Sequence, residues 1–141
     1  MYAAQITTRK ALTLAGADAV AKAAEAEATK RGAKVVIAVV DDGGNLIVLR
    51  RLDHTQVASV NVGIDKARAA AVFRRPSNVL EEQVREGRVG ALQLAGGAAL
   101  QGGIPITVAD QVVGAIGVSG ETPGEDEAIA MAGARAALAF A

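Results

Sequence analysis

Cysteine and tryptophan are absent from the 141 residues, and other aromatics are scarce: two Phe and one Tyr. Without cysteine there is no disulfide framework, thiolate zinc site, iron–sulfur cluster or cysteine nucleophile. The single histidine cannot build a two-histidine metal site within one chain, so no metal site is expected. An excess of one charge is also missing. The 15 basic and 15 acidic residues balance, so neither nucleic acid nor a membrane surface is an expected partner. No apolar run reaches the roughly 18 residues that span a bilayer. Met1 to Lys10 is polar, unlike a signal peptide. The expected location is therefore cytoplasmic, where a chain without cysteine is at home.

What fills the chain is alanine, glycine and aliphatic side chains. The length suits one domain over residues 1–141. Small side chains let elements approach closely, but each buries little area. Self-association is one way to gain burial, while base composition alone also produces alanine richness.

The apolar spacing predicts a helix over residues 8–31, with Leu12, Gly16, Ala19, Ala23 and Ala26 inward, Thr7 or Thr8 as cap and Gly32 closing it. Val35 to Val40 reads as a strand buried on both faces. Asp41 to Asn45 reads as a turn into a second strand, Leu46 to Leu52. A helix follows with Val57, Val60, Ile64, Ala67 and Ala71 on one stripe and Thr55 as cap. Asn78 and Glu81 suggest a capping box for a helix to about Glu86. The glycines between 87 and 97 mark a long connection. Ile104 to Ala109 and Gln111 to Ser119 form a second hairpin turning near Asp110. Thr122-Pro123-Gly124-Glu125 opens a last helix. Two hairpins and flanking helices make an α/β chain of the α+β type, its antiparallel sheet covered by helices.

Four constellations carry candidate chemistry. Arg50, Arg51, Asp53 and His54 end the second strand; His moves protons near neutral pH and Arg holds carboxylates at two points. Taken alone, a solvated turn with an Arg–Asp pair is the commoner meaning. Lys66, beside Asp65, is a candidate base, nucleophile or anion partner, against the commoner exposed helical charge. Gly102-Gly103-Ile104-Pro105 offers backbone N–H groups to an anion or marks a tight backbone crossing. Ser119, Glu121 and Asp126 surround the start of the last helix. Capping explains Thr122 and Glu125 but not Asp126, which is a candidate proton-transfer group. Ser119 lacks the flanking pattern of a serine-hydrolase elbow.

These blocks, in this order, resemble the GlcG/HbpS-like family, also called the haem-degrading-domain family, which includes the C-terminal domain of PduO-type proteins. The matching blocks are Val39 to Gly44, Arg51-Leu52-Asp53, Asp65-Lys66-Ala67, Gly102 to Pro105, Val113 to Gly120, and Asp126-Glu127, from about residue 6 to the end. The resemblance implies a five-stranded antiparallel sheet with helices on both faces, similar to profilin-like folds. It implies a homo-oligomer, tetramer to octamer, and a pocket near Arg51, Asp53, Lys66 and Asp126. Members are described as haem-binding, corrinoid-associated or unassigned, and some lie in operons for small-molecule catabolism. Where many members read Arg-Met-Asp-Gly, this chain has His54 in the Gly position. Haem-binding members use a first-helix His, and residues 9–31 hold none. Of the possible axial ligands, Met1, Tyr2, His54 and Met131, only His54 is a strong candidate; Met131 is expected to pack within the last helix.

Three functions follow. The first is a small-molecule-binding oligomer, with haem or another tetrapyrrole as ligand. The second is a cofactor-independent catabolic enzyme. In it Arg51 orients a carboxylate or carbonyl substrate and His54, Lys66 or Asp126 moves the proton, with Asp53, Gly102, Gly103, Ser119 and Glu121 lining the site. The third is a non-catalytic accessory oligomer.

Overall fold

The computed structural model describes residues 4–94 and 96–140. The elements run α1 (Leu14–Arg31), β1 (Val36–Asp41), β2 (Leu46–Arg51), α2 (Ser59–Val72), α3 (Asn78–Arg85), a 3₁₀ turn (Val89–Gln93), β3 (Gly103–Val108), β4 (Gln111–Ser119), α4 (Pro123–Arg135) and a closing 3₁₀ turn (Ala136–Ala139). The strands form one antiparallel sheet in the order β2-β1-β4-β3.

Side-chain alternation divides the core into two layers. Ile37, Val39, Ile116 and Val118 pack with α1 and α4 on one face. Ala38, Val40 and Ala115 pack with Ala67, Ala70 and Ala71 of α2 on the other. Val36 to Val40 are fully buried, because β1 is covered on both faces. The α2 layer is thin: a Cβ at Gly117 would collide with the Gly63 carbonyl, and one at Gly103 with the Lys66 carbonyl. Backbone meets backbone there, so glycine is required by space.

The sheet has four strands, not the five implied by the family resemblance. Two hairpins supply four, and the outer edge of β3 is closed to another. Pro105 has no N–H to donate, and Gly103 exchanges hydrogen bonds with Ser77: its N–H donates to Ser77 Oγ (2.8 Å), its carbonyl accepts from Ser77 N–H (2.9 Å).

Several local expectations shift. α1 starts at Leu14 instead of residue 8, because the Thr13 hydroxyl, not Thr7 or Thr8, accepts from Gly16 N–H (3.0 Å). Its buried stripe is Ala17, Val20, Ala21, Ala24 and Ala28, one step round from the expected one. Thr55 does not cap α2; its hydroxyl lies against the carbonyls of Leu52 (2.7 Å) and Val35 (3.1 Å). Val57 is 83% exposed, outside the stripe it was expected to join. Asn78 makes no capping box, since Ser77 precedes α3 and Glu81 accepts from Gln101 N–H. The last helix begins as read: Thr122 accepts from Glu125 N–H, and Pro123 takes the first position. Both hairpins form at the expected turns.

Candidate functional site

β2, β1 and β4 deliver most of the candidate residues to one end of the sheet. Arg51 and Ser119 are both register partners of Val36, one on each side. At about 4.8 Å per strand they lie about 10 Å apart. Asp53 and His54 follow in a tight turn in which Thr55 N–H donates to the Leu52 carbonyl (3.3 Å). Only the third position, His54, has a positive φ (69°), the pattern of a type II turn, where glycine is the usual occupant. The Thr55 hydroxyl ties this turn to the carbonyl of Val35, the residue before β1.

Arg50 and Arg51 part company. Arg50 turns to the α1 layer and pairs with Glu25 (2.6 Å) and Asp18 (3.8 Å). Arg51, Asp53 and His54 are exposed, and among the described residues their side chains make no hydrogen bond or ion pair. Val57, just beyond, adds exposed apolar surface.

Lys66 and Asp126, on opposite helical layers, meet at the same end of the sheet. Lys66 is 5% exposed and Asp126 2%. Lys66 Nζ donates to Asp126 Oδ2 (3.0 Å) and to the Val118 carbonyl (3.0 Å), while Asp126 Oδ1 accepts from Glu121 N–H (2.9 Å). Glu121 is exposed and accepts from Lys34 N–H (2.8 Å). Burial pushes the Asp126 carboxyl above its ordinary range, against the lowering effects of the Glu121 N–H and the Lys66 ammonium. Gly102 makes room for the pair: a Cβ there would stand 2.9 Å from Lys66 Nζ. Gly103 N–H is taken by Ser77, and Ser119 is buried beside Val36.

The candidates thus form two groups at one end of the sheet. Lys66, Asp126, Gly102, Gly103 and Ser119 make a buried clasp, with exposed Glu121 at its rim. Arg51, Asp53 and His54 make an exposed turn. No hydrogen bond or ion pair among the described residues joins the groups. A cavity of about 570 Å³ lies elsewhere, between the start of α1 and the β3–β4 hairpin, with Leu12, Val113 and Phe140 in its walls. Met131 is 39% exposed on the outer side of α4, not packed inside as expected. Met1 and Tyr2 lie outside the described residues. Sequence reasoning missed Thr55 as the tie for the His54 turn and Ser77 as the partner of Gly103; a hydroxyl next to a turn was the only signal for either.

The sequence profile described as haem degrading protein HbpS-like matches residues 12–135. The chain belongs to the HbpS-like family. It is 39% identical over 112 residues to protein GlcG of Escherichia coli K12, covering 79% of this chain and 84% of GlcG. Its fold is similar to that of protein ORFY of Klebsiella pneumoniae, with 30% identity, full coverage of both chains and a TM-score of 0.92. A double mutant of HbpS from Streptomyces reticuli gives 32% identity, coverage of 96% and 92%, and a TM-score of 0.86. The family's α+β fold with an antiparallel sheet is the fold of this chain. No helix of the described residues is long and apolar enough to cross a membrane.

Proposed function

We propose that this HbpS-like protein binds a small molecule, haem or a related tetrapyrrole, at the sheet end that carries Arg51, Asp53 and His54, and that it works as a homo-oligomer. The observation that carries the proposal is the state of His54. It occupies a left-handed backbone position at φ 69°, a conformation that disfavours a side chain, and its imidazole has no bonding partner among the described residues. Arg74, Ala109 and Asp110 share a positive φ, so what supports a functional side chain at His54 is an unpartnered imidazole where the family pattern has glycine.

The donor chemistry fits haem. His54 offers an exposed imidazole nitrogen for iron, Arg51 an unpaired guanidinium for a propionate, and Val57 apolar contact for the macrocycle. A bound haem would supply redox-active iron. Lys66, Asp126, Gly102, Gly103 and Ser119, with Glu121 at the rim, enter the proposal as the clasp that fixes this end of the sheet. The family's haem-degrading description supports the ligand class. The second reading, proton transfer on a small carboxylate or carbonyl substrate, draws on the same unpaired Arg51 and His54.

A haemin titration followed by absorbance, on wild type and His54→Ala in parallel, tests the proposal. The expected result is a saturable Soret shift in wild type that weakens at least tenfold in the variant. Equal titrations would remove His54 as ligand. No saturable shift in wild type would remove haem and leave the substrate reading, screened with small carboxylates and carbonyl compounds.

A further inference from the structure

The hollow of about 570 Å³ lies at the end of the sheet away from His54. Arg51 stands opposite Val36 at the start of β1, whereas the hollow reaches Val113, next to the Gly114 that faces Asp41 at the other end of that strand. Its size falls within the roughly 300–1,000 Å³ of small-molecule pockets. Leu12, Ala15, Val108, Val113 and Phe140 make its wall apolar. Gly16 keeps space open between them: a Cβ there would stand 2.9 Å from Leu12 Cδ1 and 3.4 Å from Phe140 Cε2.

Lys10 stands in the wall of this hollow and also in that of a polar cleft of about 400 Å³. The cleft brings Arg9, Lys10 and Arg74 against Asp42 and Asp110. Asp42 serves two of the cations: its carboxylate pairs with Arg9 at 3.0 Å, and its carbonyl accepts from Arg74 Nη1. Lys10 forms no ion pair among the described residues. Three cations against two carboxylates leave one positive charge over, the complement of a single anionic group. The first turn of α1, beside the same hollow, carries no carboxylate to offset its helix dipole. An apolar wall alone would suit any oily molecule, but the cation surplus at its rim selects one with an anionic end. No His, Cys, Met or Tyr lines the hollow, so a haem iron would find no side-chain ligand there.

We propose that this hollow is a second small-molecule site and takes a free amphipathic carboxylate. The apolar chain lies against Leu12, Val113 and Phe140, and the carboxylate sits at Lys10 beside Arg9 and Arg74. A short carboxylate would leave the wall bare, and a neutral alcohol would leave the surplus charge unmet. The site uses no residue of the Arg51–His54 turn and does not depend on the haem reading.

Octanoate is the probe, titrated calorimetrically into the wild-type protein at low ionic strength. Saturable binding at one site is expected, with the amide signals of residues 10–16 and 108–113 shifting in NMR spectra. Hexanoate, two methylenes shorter, is expected to bind on the order of tenfold more weakly, since each buried methylene contributes about fourfold. Octanol, with the chain but no charge, is expected to bind at least fivefold more weakly. Lys10→Glu, at an exposed position, reverses the rim charge and is expected to weaken octanoate at least tenfold while leaving octanol as in wild type. Gly16→Leu fills the hollow with a better helix former and is expected to abolish binding of both. Circular dichroism reports whether each variant folds, and Lys10→Glu decides the matter should Gly16→Leu not fold. His54→Ala is expected to bind octanoate as wild type does. The proposal is overturned if octanoate shows no saturation at millimolar concentration, or if Lys10→Glu binds it unchanged. It is also overturned if His54→Ala loses octanoate, which would put the carboxylate at the other end of the sheet. Loss of haemin binding with octanoate binding intact counts against the haem reading alone.

Discussion

His54 shows how one residue can separate function from stability. A left-handed φ costs a side chain about 1 kcal/mol that glycine does not incur. At φ 69°, His54→Gly is therefore expected to stabilise the protein by about 1 kcal/mol in urea unfolding. The same change should abolish the His54-dependent haemin shift. A more stable protein that no longer binds leaves no room for misfolding as the cause; a variant equally stable and equally able to bind would show that His54 is neither strained nor a ligand. The family pattern pointed to this position, since His stands where many members have Gly, but only the backbone geometry shows what that exchange costs. Asp126 was legible as an acid in excess of capping needs. Its partner was not, because nothing in the spacing says that Lys66, sixty residues earlier, reaches it across the end of the sheet.

At the scale of elements, strands and turns were far more legible than helix faces. Val35 to Val40 and the 111–119 run are continuous apolar stretches bounded by turn residues, and both formed where expected. α1 is so rich in alanine that neighbouring stripes are almost equally apolar, and the true one differs by a single residue. Thr13, Thr55 and Ser77 show the same limit: a hydroxyl can cap a helix or bind a strand, and tertiary contacts decide. The β3–β4 hairpin carries a residue that its turn type does not favour. Ala109 and Asp110 both have positive φ, 49° and 63°, the requirement of a type I′ turn, where Asn and Gly lead. Ala109→Gly is expected to raise stability by roughly 0.5–1 kcal/mol, net of the extra freedom glycine gives the unfolded chain. Thermal unfolding of the variant measures it; a lower midpoint would mean that the alanine methyl packs in a way that outweighs its backbone cost.

The molecule as a whole is two helical layers on a four-stranded sheet, and the Lys66–Asp126 pair is the ionic tie between them at the sheet end nearest the proposed site. Six candidate residues converge there; the family resemblance already implied that Lys66 and Asp126 share one pocket, but local periodicity did not, because strand order and layer crossing are not written in it. Removing one member of a buried pair leaves an uncompensated charge, so Asp126→Asn is expected to cost about 3 kcal/mol at neutral pH. The pH dependence of that loss has a definite sign. Burial raises the Asp126 carboxyl above its unfolded value, so the folded state holds this proton more tightly than the unfolded state. Its contribution to stability is then greatest when the carboxyl is protonated and declines as pH rises from the unfolded pKa through the folded one. This is the reverse of an ordinary ion-paired carboxylate, whose contribution is lost as pH falls. Between pH 7 and the unfolded value of 3.8 the stability gap between wild type and Asp126→Asn should therefore widen as the pH falls. Urea unfolding of both proteins at the two pH values reads the difference. A gap that narrows on acidification would mean that attraction to Lys66 outweighs burial at Asp126 and that the tie behaves as a conventional salt bridge.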